Sequence, residues 1–270
     1  MSEVVLIEVE EGVATLTLNR PDRLNAWTAE MQVSYFDLLE ECAASEEVRA
    51  IVLTGAGRGF CAGADMQDLQ ALSGGDGEGS TVRADSRPIT FPLSIPKPII
   101  AAINGPCAGL GLVAALMCDL RLAANGAKLT TAFARRGLVA EHGISWMLPR
   151  LVGPARALDL LFSGRVVLGE EAAQLGLVNR AVEEGRVVEE AIAYARMLAS
   201  ESSPASMAAM KRQVYADYEK GLEQALEEAN RLMFESFSRP DFAEGVQSFV
   251  ERRPPHFAPL SEGAQAAHTA

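Results

Sequence analysis

One long uncharged run limits the possible folds more than any other feature of the chain. The stretch from Pro98 to Cys118, PIIAAINGPCAGLGLVAALMC, contains no charged residue. A run of about 20 apolar residues can cross a bilayer as a helix, but the turn signal NGP at 104–106 interrupts this one. The run therefore predicts a buried strand, a loop and a buried helix in the core of a globular protein.

Strand-like and helix-like segments alternate over most of the chain, and helices follow alone. Val4–Val9 and Val13–Leu18 alternate in the manner of a hairpin, and Thr28 is a predicted N-cap of the next helix. Further predicted strands lie at 50–57, 99–103, 120–123 and 177–182, and helices at 109–117, 143–151 and 168–176. From about Gly185 the pattern predicts only helices, at 187–199, 204–237 and 242–250. This order indicates an α/β body with a helical C-terminal segment.

Composition excludes several classes of protein. The chain is 49% hydrophobic with a net charge of −12, which argues against a nucleic-acid partner because phosphate binding requires a basic patch. The four cysteines show neither a CxxC spacing nor the density of a secreted scaffold, and the N-terminus MSEVVLIEVEEG lacks the basic region of a signal peptide. We therefore expect a cytoplasmic protein with no membrane partner.

Common catalytic motifs fit poorly. GLGLVA at 109–114 has the outline of a dinucleotide fingerprint, but it does not follow the strand immediately, and Leu129 stands where an acid is expected. Its glycines are better explained by close helix packing. The chain has no GxSxG motif, and a single central histidine does not form a His-rich metal site, so no metal is expected.

Five segments, spread in order over nearly the whole chain, resemble the crotonase (enoyl-CoA hydratase/isomerase) superfamily. They are NRPDRLNAW at 19–27, GRGFCAGADM at 57–66, KPIIAAINGPCAGLGLVAALMCDLRLA at 97–123, LPRLVGPARALDLLFSGRVVLGEEAAQLGLVNRAV at 148–182, and EGVQSFVERRPPHF at 244–257. The resemblance implies an α/β fold with a spiral of β-β-α turns and a C-terminal helical segment. It also implies an acyl-CoA thioester substrate, no cofactor beyond the coenzyme A of that substrate, and a homotrimer or homohexamer.

The same resemblance divides the chain into regions. Residues 1–200 would form the spiral acyl-CoA-binding core, and 201–260 the helical trimerisation segment. We expect the tail at 261–270, and the low-complexity stretch SGGDGEGS at 73–80, to lack fixed structure.

Two backbone N–H groups hold the thioester oxygen in this family, and the resemblance places them at Ala64 and Leu110. Neighbouring glycines let the backbone approach a ligand closely, although taken alone they indicate only tight turns. Leu110 begins the predicted helix at 109–117, where free N–H groups and the helix dipole favour an anion such as an enolate oxygen. The resemblance assigns further substrate and CoA contacts to Arg23, Leu24, Ala26, Ala62, Gly63, Asp65, Met66, Gly109 and Phe133.

The chain departs from typical hydratases of the family at both catalytic glutamates. The first position falls on Val113 and the second on Phe133, and neither side chain can transfer a proton. Hydration by two glutamates is therefore not expected.

One acid remains in a catalytic position of the family. In isomerase-like and some dehalogenase-like relatives a single acid precedes the helix that leads to LPRLVG, and Glu141 falls there. Phe133, Val113 and Trp146 are expected to give it apolar surroundings, which raise a carboxyl pKa towards neutrality. The alternative is that Glu141 caps the helix at 143–151, with His142 on the surface as a bystander.

Three classes of function follow. The leading hypothesis is an enoyl-CoA isomerase that works through an enolate with Glu141 as proton shuttle; an atypical hydratase, or more distantly a thioester-handling dehalogenase or hydrolase, is the variant within the family. The second class is a non-catalytic acyl-CoA-binding protein. The third is a dinucleotide oxidoreductase built on GLGLVA.

Overall fold

The strands form two sheets in the part of the chain that the computed structural model describes, residues 3–67, 70 and 85–260. The larger sheet has six strands in the order β1-β2-β3-β4-β6-β9, and the smaller has three in the order β5-β7-β8. Only the β1/β2 hairpin and the β7/β8 pair are antiparallel. The strands are β1 Val5–Glu10, β2 Val13–Leu18, β3 Ala50–Gly55, β4 Ile99–Ile103, β5 Cys107–Ala108, β6 Leu120–Ala124, β7 Lys128–Thr130, β8 Val167–Leu168 and β9 Arg180–Val182.

Helices cover the sheets and make up most of the C-terminal part. In the described residues they are α1 Ala29–Ala44, α2 Leu110–Leu116, α3 Ile144–Val152, α4 Pro154–Ser163, α5 Gly169–Leu175, α6 Val187–Glu201, α7 Pro204–Asp217, α8 Leu222–Phe237 and α9 Pro240–Glu251. Short 3-10 turns lie at Pro21–Arg23, Phe91–Ser94 and Ala134–Arg136. None of the helices described is long and apolar enough to cross a membrane.

The sequence patterns account for the central layer. Every residue of β3 and β4 is buried, as expected for continuous apolar strands in a parallel sheet with both faces covered. The predicted hairpin is confirmed by the antiparallel pairing of β1 with β2. The predicted cap of α1 is confirmed because the Thr28 side chain accepts a hydrogen bond from the Met31 N–H. The α/β class with a helical C-terminal segment is confirmed as well.

The uncharged run folds as a buried strand, a turn and a buried helix, as predicted. Between β4 and β5 the Asn104 amide donates to the carbonyl oxygens of Gly55 and Gly57, at 2.8 and 3.0 Å. A β-carbon built on Gly105 would lie 2.1 Å from the Arg58 carbonyl oxygen, so only glycine allows this approach. The turn after β4 is thereby fixed against the turn after β3, and the segments that follow both turns become neighbours.

The sequence patterns missed or misjudged several elements. The short strands β5, β7 and β8 and the helix α4 were not predicted. The single helix expected over 204–237 is wrong, because α7 ends at Asp217 and α8 begins after Gly221. The stretches at 73–80 and 261–270 lie outside the described residues, and the division at residue 200 stays a prediction.

Candidate active site

Two loops and two short strands together extend the smaller sheet. Trp27 pairs with Ala64, and Cys61 pairs with Cys107 of β5, both in parallel bridges. β5 in turn pairs with β7. The segment 61–64 therefore lies as a strand between Trp27 and β5, which places Ala64 close to the start of α2.

The backbone N–H groups of Ala64 and Leu110 both lack a protein acceptor among the described residues. Trp27 bonds to the neighbours of Ala64, by accepting from the Asp65 N–H and donating to the Gly63 carbonyl, so the N–H of Ala64 itself points away from Trp27. Leu110 is the first residue of α2, behind the N-cap Gly109, where N–H groups have no intrahelical partner.

Gly63 brings these two donors together. A β-carbon built on it would lie 3.0 Å from the Ala108 carbonyl oxygen and 3.9 Å from the Leu110 nitrogen. Its φ of +102° is also in the region that favours glycine. Two unpaired donors on adjacent backbone segments are the arrangement that holds a developing oxyanion.

A cavity of about 530 Å³ opens beside these donors. Every predicted site residue except Leu24 lines it, together with three residues that were not predicted to contact substrate. The lining residues are Arg23, Ala26, Ala62, Gly63, Ala64, Asp65, Met66, Gly109, Leu110, Phe133, Arg136, Leu138, Glu141 and His142.

Leu24 supports the cavity wall from behind. Its carbonyl oxygen accepts from the Ala62 N–H at 3.0 Å, and its side chain packs where a β-carbon on Gly59 would be. Leu24 itself does not line the cavity, its side chain packs towards the loop that contains Gly59, and the substrate contact expected at Leu24 stays a prediction.

Glu141 faces the cavity from the turn before α3. Its side chain is 32% exposed, and its Oε2 lies 3.8 Å from Nε2 of His142. The alternative that Glu141 caps α3 is wrong, because the N-cap is Gly143 and no side-chain bond caps this helix. Glu141 contributes only its backbone carbonyl, which accepts from the Ile144 N–H at 3.1 Å.

The second carboxylate at the cavity is held by its neighbours. Asp65 is buried, receives the Gln67 N–H at 3.0 Å and pairs with Arg20 at 2.9 Å. The Gln67 N–H and the Arg20 guanidinium hold the pKa of Asp65 below its ordinary value. Asp65 thus stays ionised near neutral pH, and its oxygens are already bonded to Gln67 and Arg20. This suits a structural role and not proton transfer.

The expected apolar surroundings of Glu141 are only partly present. Phe133 is 5% exposed and lines the cavity. Neither Val113 nor Trp146 lines the cavity. Val113 is fully buried within α2, and Trp146 packs on Tyr218 and Arg150. The apolar side of the site comes from Phe133, Leu138 and Met66 instead.

The sequence also missed two arginines. Arg20 donates to the Ala26 carbonyl oxygen at 2.6 Å and to Asp65 at 2.9 Å, which ties two walls of the cavity together. Arg136 lines the cavity together with Arg23, and neither of these two makes an ion pair with another residue in the described ranges. Such rim cations suit the phosphates of a large anionic ligand.

Metal ligation finds no support in the described residues, where no cluster of three or more His, Cys, Asp or Glu side chains is placed to hold an ion. The cysteines near the site are buried, and burial raises the pKa of Cys61 to about 12. Nucleophilic chemistry by this thiol is therefore disfavoured near neutral pH.

Comparison with known proteins identifies the family of the chain. The family model for enoyl-CoA hydratase/isomerase matches residues 8–259, and the chain belongs to that family. The fold is the crotonase-like α/β fold that the sequence predicted.

Three relatives illustrate the range of the family. The 1,2-epoxyphenylacetyl-CoA isomerase of Escherichia coli is 35% identical over 95% of this chain and 99% of its own. A protein of Rhodobacter capsulatus named probable enoyl-CoA hydratase is 40% identical, over 93% and 96%. The crystal structure of an enoyl-CoA hydratase from Mycobacterium marinum is 49% identical, with a TM-score of 0.69, and covers 81% of this chain and 100% of its own.

Proposed function

We propose that this enzyme of the enoyl-CoA hydratase/isomerase class moves a double bond of an enoyl-CoA from the β,γ to the α,β position. The observation that carries the proposal is that one carboxylate, Glu141, lines the same cavity as two unpaired backbone donors, at Ala64 and Leu110. The other cavity carboxylate, Asp65, is held by Arg20.

The chemistry needs only these groups. The Glu141 carboxylate removes a proton from the α-carbon of the thioester, and the electron pair moves into a dienolate. The oxygen of this dienolate accepts hydrogen bonds from the N–H groups of Ala64 and Leu110. The same carboxyl then returns the proton to the γ-carbon, and the α,β double bond forms. Atoms and charge balance without a co-reactant. Backbone donors at the oxyanion contribute a large part of the transition-state stabilisation in such reactions.

The side chains around the cavity support the ligand class. Arg23 and Arg136 at the rim suit the phosphates of coenzyme A, and the buried Phe133 with Leu138 and Met66 suits an acyl chain. The 1,2-epoxyphenylacetyl-CoA isomerase of Escherichia coli is a relative whose name also states an isomerisation.

A hydratase is the second candidate, since relatives carry that name. Water addition with one carboxylate would require Glu141 both to activate the water and to protonate the carbon. Val113 and Phe133 leave no second carboxyl at the family positions, which favours isomerisation.

The test is product analysis with a β,γ-enoyl-CoA and an α,β-enoyl-CoA, each given to the unaltered enzyme and to Glu141→Gln. We expect double-bond migration from the first substrate, no hydration of the second, and a rate lower by ~10²–10⁴ in the variant, because a general acid–base group typically contributes that factor. Binding of a non-reactive acyl-CoA should be unchanged in calorimetry, since the thioester contacts are backbone groups.

His142→Ala serves as the matched control, because that side chain lines the same cavity and is 46% exposed; its effect should be smaller. Full activity in folded Glu141→Gln would reject the mechanism. Hydration of the α,β substrate would favour the hydratase, and acyl-CoA binding without turnover would favour a non-catalytic protein.

A further inference from the structure

The C-terminal helix α7 contacts the helix that follows Glu141 through an aromatic stack. The ring of Tyr218, the residue after α7, meets the ring of Trp146 edge to face at 5.2 Å. The Arg150 guanidinium lies 4.0 Å from the Trp146 ring centre and 5.1 Å from that of Tyr218. Three groups from two helices are thus packed together, and such aromatic and cation–π contacts are directional.

The stack bears on the turn that carries Glu141. The Trp146 N–H donates to the Gly143 carbonyl at 3.1 Å, and the Ile144 N–H donates to the Glu141 carbonyl at 3.1 Å. The turn also packs closely against the segment before the Phe91–Ser94 turn, since a β-carbon on Gly143 would lie 3.2 Å from the Thr90 methyl group. Backbone hydrogen bonds therefore link the first turn of α3, which carries Trp146, to the turn that carries Glu141.

Helix α7 itself is fixed to the core. The Lys211 ammonium donates to Asp119 at 2.8 Å and to the carbonyl oxygens of Pro92 and Lys97. The Tyr215 hydroxyl donates to the other oxygen of Asp119 at 3.1 Å. Tyr218 lies less than one turn beyond Tyr215, so its ring projects from a fixed support.

We propose that Tyr218 is a positioning residue for the reaction: its stack on Trp146 and Arg150 holds the turn that places Glu141 against the bound thioester. This inference rests on the proposed function and adds to it a role for the C-terminal segment. The proposed role concerns the chemical step and not substrate binding. The stack is linked to the turn that carries Glu141, and it does not include the backbone donors at Ala64 and Leu110.

The test compares Tyr218→Ala, Tyr218→Phe and the matched control Tyr194→Ala, whose ring also stacks on an arginine, Arg180, but on α6. With a β,γ-enoyl-CoA we expect kcat to fall about tenfold or more in Tyr218→Ala with KM nearly unchanged, because an error of ~1 Å in placing a reacting group can cost ~10²-fold. Tyr218→Phe keeps the ring and should restore the rate, and Tyr194→Ala should match the unaltered enzyme.

Two further measurements separate positioning from general damage. In the Glu141→Gln background, Tyr218→Ala should cause no additional loss, because both changes act through one carboxylate. Hydrogen exchange of the Ile144 and Trp146 amides should accelerate in Tyr218→Ala and not in Tyr194→Ala.

The outcomes are distinct. An unchanged kcat in Tyr218→Ala, or an equal additional loss in the Glu141→Gln background, overturns the positioning role. Full activity of Glu141→Gln alone overturns the proposed function instead, whatever Tyr218→Ala does.

Discussion

The backbone at Gly109 and Leu110 determines which substitution can test the oxyanion donors. Gly109 has φ +49° and ψ −120°, a conformation that residues with a side chain rarely adopt. Any substitution there would strain the backbone, and its effect on ligand binding could not be separated from that strain. Leu110 offers a cleaner test. It is the first residue of α2, the one helical position where proline is well tolerated, because its N–H has no intrahelical partner.

Leu110→Pro should therefore remove one donor and leave the helix intact. Loss of a single oxyanion donor typically costs ~10²–10³ in kcat, and we expect a fall of that size in isomerisation. Leu110→Ala is the control, since it shortens the side chain and keeps the N–H. Steady-state rates with a β,γ-enoyl-CoA, together with thermal unfolding of both variants, provide the check, and equal rates in the two folded variants would remove Leu110 from the oxyanion site.

At this scale the sequence predicted the residues that belong to motifs and missed those that do not. Ala64, Leu110 and Glu141 lie in segments with a family pattern. Arg136 and Leu138 lie on a 3-10 turn and the exposed loop after it, which have no periodic pattern. Only the path of the chain from β7 to α3 brings them to the cavity, and a single sequence does not specify that path.

Lys97 joins two elements of the core and makes their contact sensitive to pH. The residue is 3% exposed, precedes β4, and its ammonium donates to the Cys42 and Ser45 carbonyl oxygens at the end of α1, at 2.6 and 2.5 Å. Cations suit helix C-termini, but burial lowers the pKa of Lys97 from its ordinary 10.5 to about 8. Burial therefore opposes the charged form more strongly than the carbonyl groups favour it.

The stability contributed by Lys97 should rise with pH between about 8 and 10.5. In that window the unfolded chain binds the proton that the folded chain has lost, so raising the pH favours the folded state. At ~1.4 kcal/mol per pKa unit the whole shift from 10.5 to about 8 corresponds to roughly 3 kcal/mol. The measurement is the difference in unfolding free energy between the unaltered chain and Lys97→Met across this range.

The comparison with Lys97→Met is needed because Cys42 acts in the opposite direction. Burial raises the pKa of Cys42 from its ordinary 9.0 to about 11. The contribution of Cys42 to stability therefore falls as the pH rises through this range. Lys128→Met, at an exposed position, is the matched control and should leave the slope unchanged. A difference curve for Lys97→Met that is flat with pH would contradict the assignment.

The elements themselves were predictable where one pattern dominated. Continuous apolar residues specified β3 and β4, and Thr28 specified the start of α1. The break between α7 and α8 was missed because apolar positions continue at helical spacing on both sides of it. Gly221 nevertheless caps a new helix, and its N–H donates to the Gln224 side-chain oxygen at 3.4 Å. Strands as short as β5 carry too few residues for any period to show.

At the scale of the whole molecule, the C-terminal helices expose a large apolar surface. Leu222 is 86% exposed and Phe249 is 84% exposed, and both lie on the amphipathic helices α8 and α9. Other exposed apolar residues there are Leu226, Met233, Phe234, Phe237, Phe242, Val246 and Val250. Large exposed apolar patches mark interaction surfaces in proteins, and a surface here is what the trimerisation segment expected at 201–260 would require.

We therefore expect the chain to assemble in multiples of three, through this surface. Because Tyr218 packs on Trp146, we also expect assembly to affect the rate of the reaction. Phe249→Asp places a charge in the contact and should release smaller species, whereas Phe249→Leu keeps the surface apolar and should leave the mass unchanged. Light scattering at micromolar concentration measures both, and a stable monomer of the unaltered chain would contradict the expectation. Because only the short segment 218–221 joins α7 to α8, an interface that holds α8 also restrains α7. The dissociated Phe249→Asp species should therefore isomerise enoyl-CoA more slowly at unchanged KM.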